Sequence, residues 1–368
     1  HVYPQTTWWG QRLEFLGIRY AFVCGLCLLI GTVLNLNRLS FGRRLMHPVE
    51  WCVLLTFLAM LLSTATGGPW DARTEMVLDK MSKVILFTLL LSHVVVTRQR
   101  VWQVTILLTV LALYLGHEAK NAPPGAFANN RLNGIGGPDF RESAGLAIHL
   151  FAVLPFIAVV MRQRSLVLKA LALLAGCYSV NAILLCRARS AFVAGIVAGL
   201  LAVWYVPRRH RRWVVGVLVL GAAGGIVLSD NWFWERMMTI LNPAEQRDTS
   251  ASSRLDIWAA AWQLLKANPL GIGIGHFESM IGDYSKLPEV RGRDAHNSFV
   301  LCAAETGVPG ILLYLVTILA SWLTLSRLAR RVRSTLAEPD RIELLFFANR
   351  LAIVVYLVGG LFVSRFYT

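Results

Sequence analysis

Charge is the scarcest resource in this chain. Only 15% of its 368 residues are charged and 56% are apolar, with a mean hydropathy of +0.55. Soluble proteins carry about 25% charged residues. The deficit excludes a soluble enzyme, a disordered chain and a disulfide-stapled secreted module. Acidic residues are the scarcer sign, 21 against 36 Lys and Arg, giving a net charge of +15. The basic residues sit in short runs between apolar stretches, which reads as membrane topology rather than a nucleic-acid patch. Cysteine chemistry is absent too. Cys24 and Cys27 form a CxxC, but no second pair or His cluster completes a zinc site. These two, with Cys52, Cys177, Cys186 and Cys302, are expected to be small membrane-buried side chains. There is no clear internal repeat. The chain starts at His1 with no signal-peptide pattern, so upstream sequence is expected.

What is present in quantity is the apolar run. A bilayer core of about 30 Å needs about 20 apolar residues per helix. Ten candidate spans appear: 17–35, 48–65, 80–97, 101–115, 143–161, 165–186, 191–206, 213–229, 295–325 and 343–363. The ninth is long enough to contain a break, and Gly307, Pro309 and Gly310 supply one. Alternate connections are basic: Arg38, Arg43 and Arg44; Arg98 and Arg100; Arg162 and Arg164; Arg208, Arg209, Arg211 and Arg212; Arg327, Arg330, Arg331 and Arg333. The positive-inside rule makes these cytoplasmic. Loops 66–79, 116–142, 187–190 and 230–294 then face outward, as do both ends of the chain, which points to further helices before it, after it, or both. The expected organisation is N-terminal membrane helices over 1–229, an outer segment over 230–294, and C-terminal helices over 295–368. The fold class is an all-α polytopic helical bundle with about ten or more transmembrane helices.

Candidate site residues cluster on the outward side. Arg187 and Arg189 fall on an outer turn, off the charge pattern. The bland reading is a snorkelling pair; the sharper one is an anion site, because such charge is expensive to keep. In the outer segment, Leu255, Trp258, Trp262 and Leu265 recur at helical spacing. Ser252 or Ser253 is the expected N-cap, which puts Arg254 in the first turn, against the helix dipole. Gly271-Ile-Gly-Ile-Gly275 has no βαβ context and reads as a flexible turn with close backbone packing rather than a phosphate cradle. His296 and Asn297 open the ninth span. Glu305, nine residues on, is expected to tie down a neighbouring helix or the break rather than touch His296. No DxD pair and no His/Asp metal cluster appears. A neutral base with several arginines suits a reaction in which a hydroxyl loses a proton and a diphosphate departs.

The stretch His296-Asn-Ser-Phe through Glu305-Thr-Gly-Val-Pro-Gly310 resembles the C-terminal signature of the O-antigen ligase and polymerase superfamily. Three further patches agree in order: Arg131-Leu-Asn-Gly134 through Asp139; Arg189-Ser-Ala, with Ala188 where the family has serine; and Ser253-Arg254-Leu-Asp-Ile-Trp258 followed by Asn268-Pro269-Leu-Gly-Ile-Gly273. The resemblance runs from about residue 130 to the end. It implies a GT-C-like inner-membrane glycosyltransferase whose site faces the periplasm and whose donor is an undecaprenyl-diphosphate-linked glycan. The acceptor is lipid A–core oligosaccharide in the ligases, another carrier-linked glycan in the polymerases, and a protein Ser or Thr in the O-oligosaccharyltransferases. Carried onto this sequence, His296 is the catalytic base. Arg189 and Arg254 bind the diphosphate, with Arg187 as the alternative to Arg189. Asn297 and Glu305 support them, and Arg131 contacts glycan or acceptor. No cofactor, no metal and no nucleic acid are implied; the partners are donor, acceptor and membrane lipids. The rival from another class is a lipid-linked glycan transporter, which calls for mid-membrane charges and internal repeats.

Overall fold

The computed structural model describes residues 20–35, 46–140, 142–238, 240, 249–287, 290–335, 340–364 and 366. The basic run Arg38, Arg43 and Arg44 lies outside these. The described chain is almost wholly helical, and each expected span is a helix: α1 (Tyr20–Leu34), α2 (Pro48–Gly67), α3 (Ala72–Val94), α4 (Arg98–Lys120), α5 (Ser143–Met161), α6 (Leu166–Cys186), α7 (Arg189–Tyr205) and α8 (Arg208–Leu228) come first. The shorter α9 (Asn231–Met238), α10 (Thr249–Ala267) and α11 (Phe277–Met280) occupy the long connection. The chain ends with α12 (Ser298–Thr335) and α13 (Asp340–Gly360). The only strands among the described residues are β1 (Phe127–Ala128) and β2 (Arg131–Leu132), an antiparallel hairpin. Its two-residue turn is Asn129-Asn130, both at positive φ, as a mirror-image hairpin turn requires.

This is an all-α polytopic membrane protein. Helices α2, α4, α5, α6, α8, α12 and α13 are long and apolar enough to cross a bilayer; α1 and α7 are apolar but shorter. Helix α3 carries Arg73, Glu75, Asp79, Lys80 and Lys83 in its first half, so its apolar run is the C-terminal part. The 101–115 span lengthens to a 23-residue helix, because the polar residues at both of its ends continue the helical turn.

Local chemistry sets the boundaries. His47 caps α2 in a capping box: its Nδ1 accepts from Val49 N at 3.2 Å, and Glu50 accepts from His47 N at 2.7 Å, with Pro48 at the first helical position. Asp71 caps α3 through Thr74 N at 2.7 Å. The six cysteines are free; Cys186 and Cys302 are buried, while Cys24, Cys27 and Cys177 lie on the chain's surface.

The chain divides into two compact units. One comprises the described residues within 101–243 and 322–359; the other comprises those within 17–100, 244–321 and 360–368. In the first, α5 packs along α6 and α7 and is the most enclosed span. In the second, the core joins Met60 of α2, Ile257 and Leu264 of α10, Ile272 and Ile274 of the glycine turn, Phe277, and Cys302 of α12.

Candidate functional site

In the second unit the site grows out of a broken helix. Pro309 has no N–H for the carbonyl of Glu305, and Gly307 sits at φ 68°, ψ −171° inside α12. The break frees backbone groups, and each finds a partner in 269–273. Val308 N donates to Pro269 O at 2.9 Å, Ile272 N to Ala304 O at 3.2 Å, and Gly273 N to Glu305 O at 3.2 Å. Ser63 Oγ of α2 also donates to Glu305 O, and it accepts from Gly273 N at 3.1 Å. Irregular backbone at membrane depth survives only where protein satisfies it in this way. The fit is tight. A Cβ on Gly307 would press into the backbone of Pro269, Leu270 and Gly271. The expected break and the expected close-packed turn are therefore one interlock.

Glu305 is 1% exposed, and its Oε1 accepts from Phe277 N at 3.0 Å. It ties down the end of the glycine turn and the start of α11, and among the described residues it makes no hydrogen bond or ion pair with His296. The turn is also fastened to α2 and α3. Thr64 Oγ1 accepts from Ile274 N at 3.4 Å, Thr74 Oγ1 donates to Ile274 O at 2.9 Å, and Arg73 pairs with Glu278 at 2.9 Å. His276 is 3% exposed, with its ring against Gly68 and Gly273. Its Nε2 lies 3.7 Å from Asp71 Oδ2. Hydrogen bonds from the Thr74 N–H and hydroxyl, with a smaller contribution from His276, hold the Asp71 carboxyl below the usual carboxylate range.

His296 precedes α12 and sits at φ 47°, a left-handed conformation that few non-glycine residues adopt. Asn297 is the N-cap: its Oδ1 accepts from Phe299 N at 2.9 Å and Val300 N at 3.2 Å. The imidazole is one-third exposed, with Nδ1 3.5 Å from Asp294 Oδ2. The residue before it, Ala295, is fully buried, and its carbonyl accepts from Trp258 Nε1 at 2.9 Å. Trp258 lies one turn from Arg254 along α10, so both share a face. Helix α10 begins at Thr249, earlier than the serines suggested, which places Arg254 in the second turn. Ser252 and Ser253 therefore lie within the helix rather than at its N-cap. Of its apolar residues, Ile257, Ala260, Ala261 and Leu264 point inward while Leu255 and Trp262 are exposed. The two alanines allow the close approach that tryptophan and leucine would block.

The first unit holds Arg131, Arg187 and Arg189. Arg187 caps the C-terminus of α6 at φ 44° and is buried. Its guanidinium donates to Asn130 O and pairs with Asp230, and its carbonyl accepts from Arg236 Nε at 3.1 Å. It clasps the 127–132 hairpin to the start of α9. Arg189 is the first residue of α7, half-buried. Arg131 lies on β2, with its Nε buried and making no hydrogen bond. The reading of the sequence missed Ser63, Thr64, Asp71 and Arg73, which lie in apolar or loop sequence without a motif, and Asp230 and Asp294. Among the described residues, no three His, Cys, Asp or Glu side chains gather as a metal site would require.

Comparison with known families addresses the motifs directly. Residues 174–315 match the family model described as O-antigen ligase. The resemblance is thereby shown over that stretch. That stretch encloses Arg187, Arg189, Arg254, His296, Asn297 and Glu305, and leaves out Arg131. No curated protein matches the chain.

Proposed function

We propose that this chain transfers a glycan from an undecaprenyl-diphosphate carrier onto lipid A–core oligosaccharide at the periplasmic face of the bacterial inner membrane. The carrying observation is that the O-antigen ligase match covers the arginines and the histidine that such chemistry needs. His296 accepts the acceptor hydroxyl proton. The acceptor oxygen attacks the anomeric carbon with inversion, and the diphosphate leaves. Arg189 and Arg254 bind that diphosphate and stabilise its charge without a metal. Arg189 stands at a helix N-terminus, where a cation opposes the dipole and an anion is favoured. Arg187, already engaged by Asp230 and Asn130, serves as a clasp beside it. The basic loops face the cytoplasm, and the 230–294 connection faces the periplasm.

Reconstitution in liposomes tests this. A carrier-linked glycan is supplied with lipid A–core, with a second carrier-linked glycan, or with a Ser/Thr peptide, each with and without EDTA. Transfer to lipid A–core that survives chelation is the expected result. Transfer only to the second glycan or to the peptide reassigns the acceptor to the polymerase or protein O-oligosaccharyltransferase type. No transfer to any acceptor sinks the reading, and metal-dependent transfer sinks the role given to the arginines.

A further inference from the structure

We propose that Asp294 is a positioning residue for His296, a carboxylate that holds the imidazole with Nδ1 toward itself and leaves Nε2 for the acceptor. The inference rests on the glycosyl transfer proposed above. Three observations carry it. First, Nδ1 of His296 lies 3.5 Å from Asp294 Oδ2, and the two side chains are similarly part-exposed, 34% and 29%. That is beyond hydrogen-bonding distance, but catalytic hydrogen bonds in unliganded sites are commonly long and tighten on substrate binding. Second, the backbone is fixed on both sides of the ring, by Trp258 on Ala295 O and by the Asn297 cap. His296 itself is held at φ 47°. Left-handed backbone at a residue other than glycine persists where its surroundings over-determine it, and such residues concentrate at functional sites. Third, the Asp294 carboxylate makes no hydrogen bond among the described residues, and its other charge interactions, with Arg73 and Glu305, are longer-range than the one with His296.

The chemistry balances without a co-reactant. The acceptor O–H proton passes to Nε2 as the oxygen bonds to the anomeric carbon. The electron pair of the breaking carbon–oxygen bond leaves with the diphosphate. The ring becomes imidazolium, donating from Nδ1 toward Asp294, and later releases its proton to water. A base oriented by a third group is the recurring arrangement for activating a hydroxyl.

The test uses the full chain in liposomes with the carrier-linked glycan. Asp294→Asn is expected to lower kcat by about tenfold, less than the 10²–10⁴ lost when a general base is removed outright, and to leave KM for the donor unchanged. Asp294→Glu, which keeps the charge, recovers part of the rate. The double variant Asp294→Asn/His296→Ala is no slower than His296→Ala alone. Unaltered kcat in Asp294→Asn, with His296→Ala inactive, overturns the inference and leaves the function standing. Loss in Asn and Glu variants alike, with a lowered thermal midpoint, makes Asp294 structural and also overturns it. An inactive wild type, or a fully active His296→Ala, refutes the glycosyl-transfer reading instead.

Discussion

The indole N–H of Trp258 is bonded to the carbonyl of Ala295, the residue immediately before His296. This hydrogen bond gives the Arg254-x3-Trp258 spacing a physical meaning. Four residues is one helical turn, so the tryptophan that anchors α10 to the His296 loop also fixes the face on which Arg254 stands. One side chain thus sets the register between the proposed base and one proposed diphosphate ligand.

Trp258→Phe keeps most of the ring's packing and removes the N–H. One neutral hydrogen bond is worth about 1 kcal/mol net, so thermal stability is expected to change little. Turnover is expected to fall by about fivefold or more, since 1.36 kcal/mol of barrier is tenfold. A variant as fast as wild type in the liposome assay would show that Trp258 only packs.

The arginines separate by what they touch. Arg189→Ala and Arg254→Ala each remove charge-assisted bonds to the diphosphate, at about 1.5–3 kcal/mol, which is tenfold or more in rate. Lysine restores only part where the contact is bidentate. Arg187→Ala is expected to act on folding: it leaves Asp230 without its partner and frees the 127–132 hairpin. Folded yield and thermal midpoint should fall, with Asp230→Ala following the same pattern. A well-folded Arg187→Ala with abolished transfer would return Arg187 to the diphosphate site.

The fold was legible because apolar length and basic loops are strong signals that act locally. All ten spans are helices, and the break at Gly307 was readable from Gly307, Pro309 and Gly310. The motif blocks that carry the candidate site residues were legible for the same reason: they are short and local in sequence. The partners of those blocks were not. Ser63 and Thr64 sit within an apolar helix, and only tertiary contact shows that they hold the glycine turn. The burial of His276 was not legible, because packing of a turn against other elements leaves no mark in the turn's own sequence. The facing of α10 was not legible, because its apolar residues nearly encircle it; size, with Ala260 and Ala261 inward, decides what hydrophobicity does not.

The two histidines near the glycine turn and α12 should fail differently. His296→Ala is expected to abolish detectable transfer, a loss of about 10²–10⁴-fold, at normal expression, because its ring is part-exposed and packs little. His276→Ala removes a buried ring wedged between Gly68 and Gly273. It should destabilise the protein by about 1–3 kcal/mol, with activity per folded molecule largely kept. Thermal melts and turnover on the same preparations separate the two. A stable, inactive His276→Ala would move catalysis to the wrong histidine.

The interlock between the two halves of the motif gives the last prediction. Gly307 needs positive φ and has the backbone of Pro269, Leu270 and Gly271 where a Cβ would go. Gly307→Ala therefore incurs a left-handed penalty of about 1–2 kcal/mol, and a backbone clash that only separation of α12 from the turn relieves. Separation would strand Val308 N, Ala304 O and Glu305 O in an apolar setting, at about 1–3 kcal/mol for each buried group left unsatisfied. The sum approaches the whole stability of a typical domain, so Gly307→Ala is expected to yield little folded protein. Ser63→Ala is the graded control. It deletes the hydroxyl that bridges Glu305 O and Gly273 N while the direct Gly273–Glu305 bond remains, so a loss of about 1 kcal/mol is expected. Normal folding of Gly307→Ala, read by detergent-solubilised yield and melting, would mean that the helix break tolerates a side chain and that the turn is not locked to it.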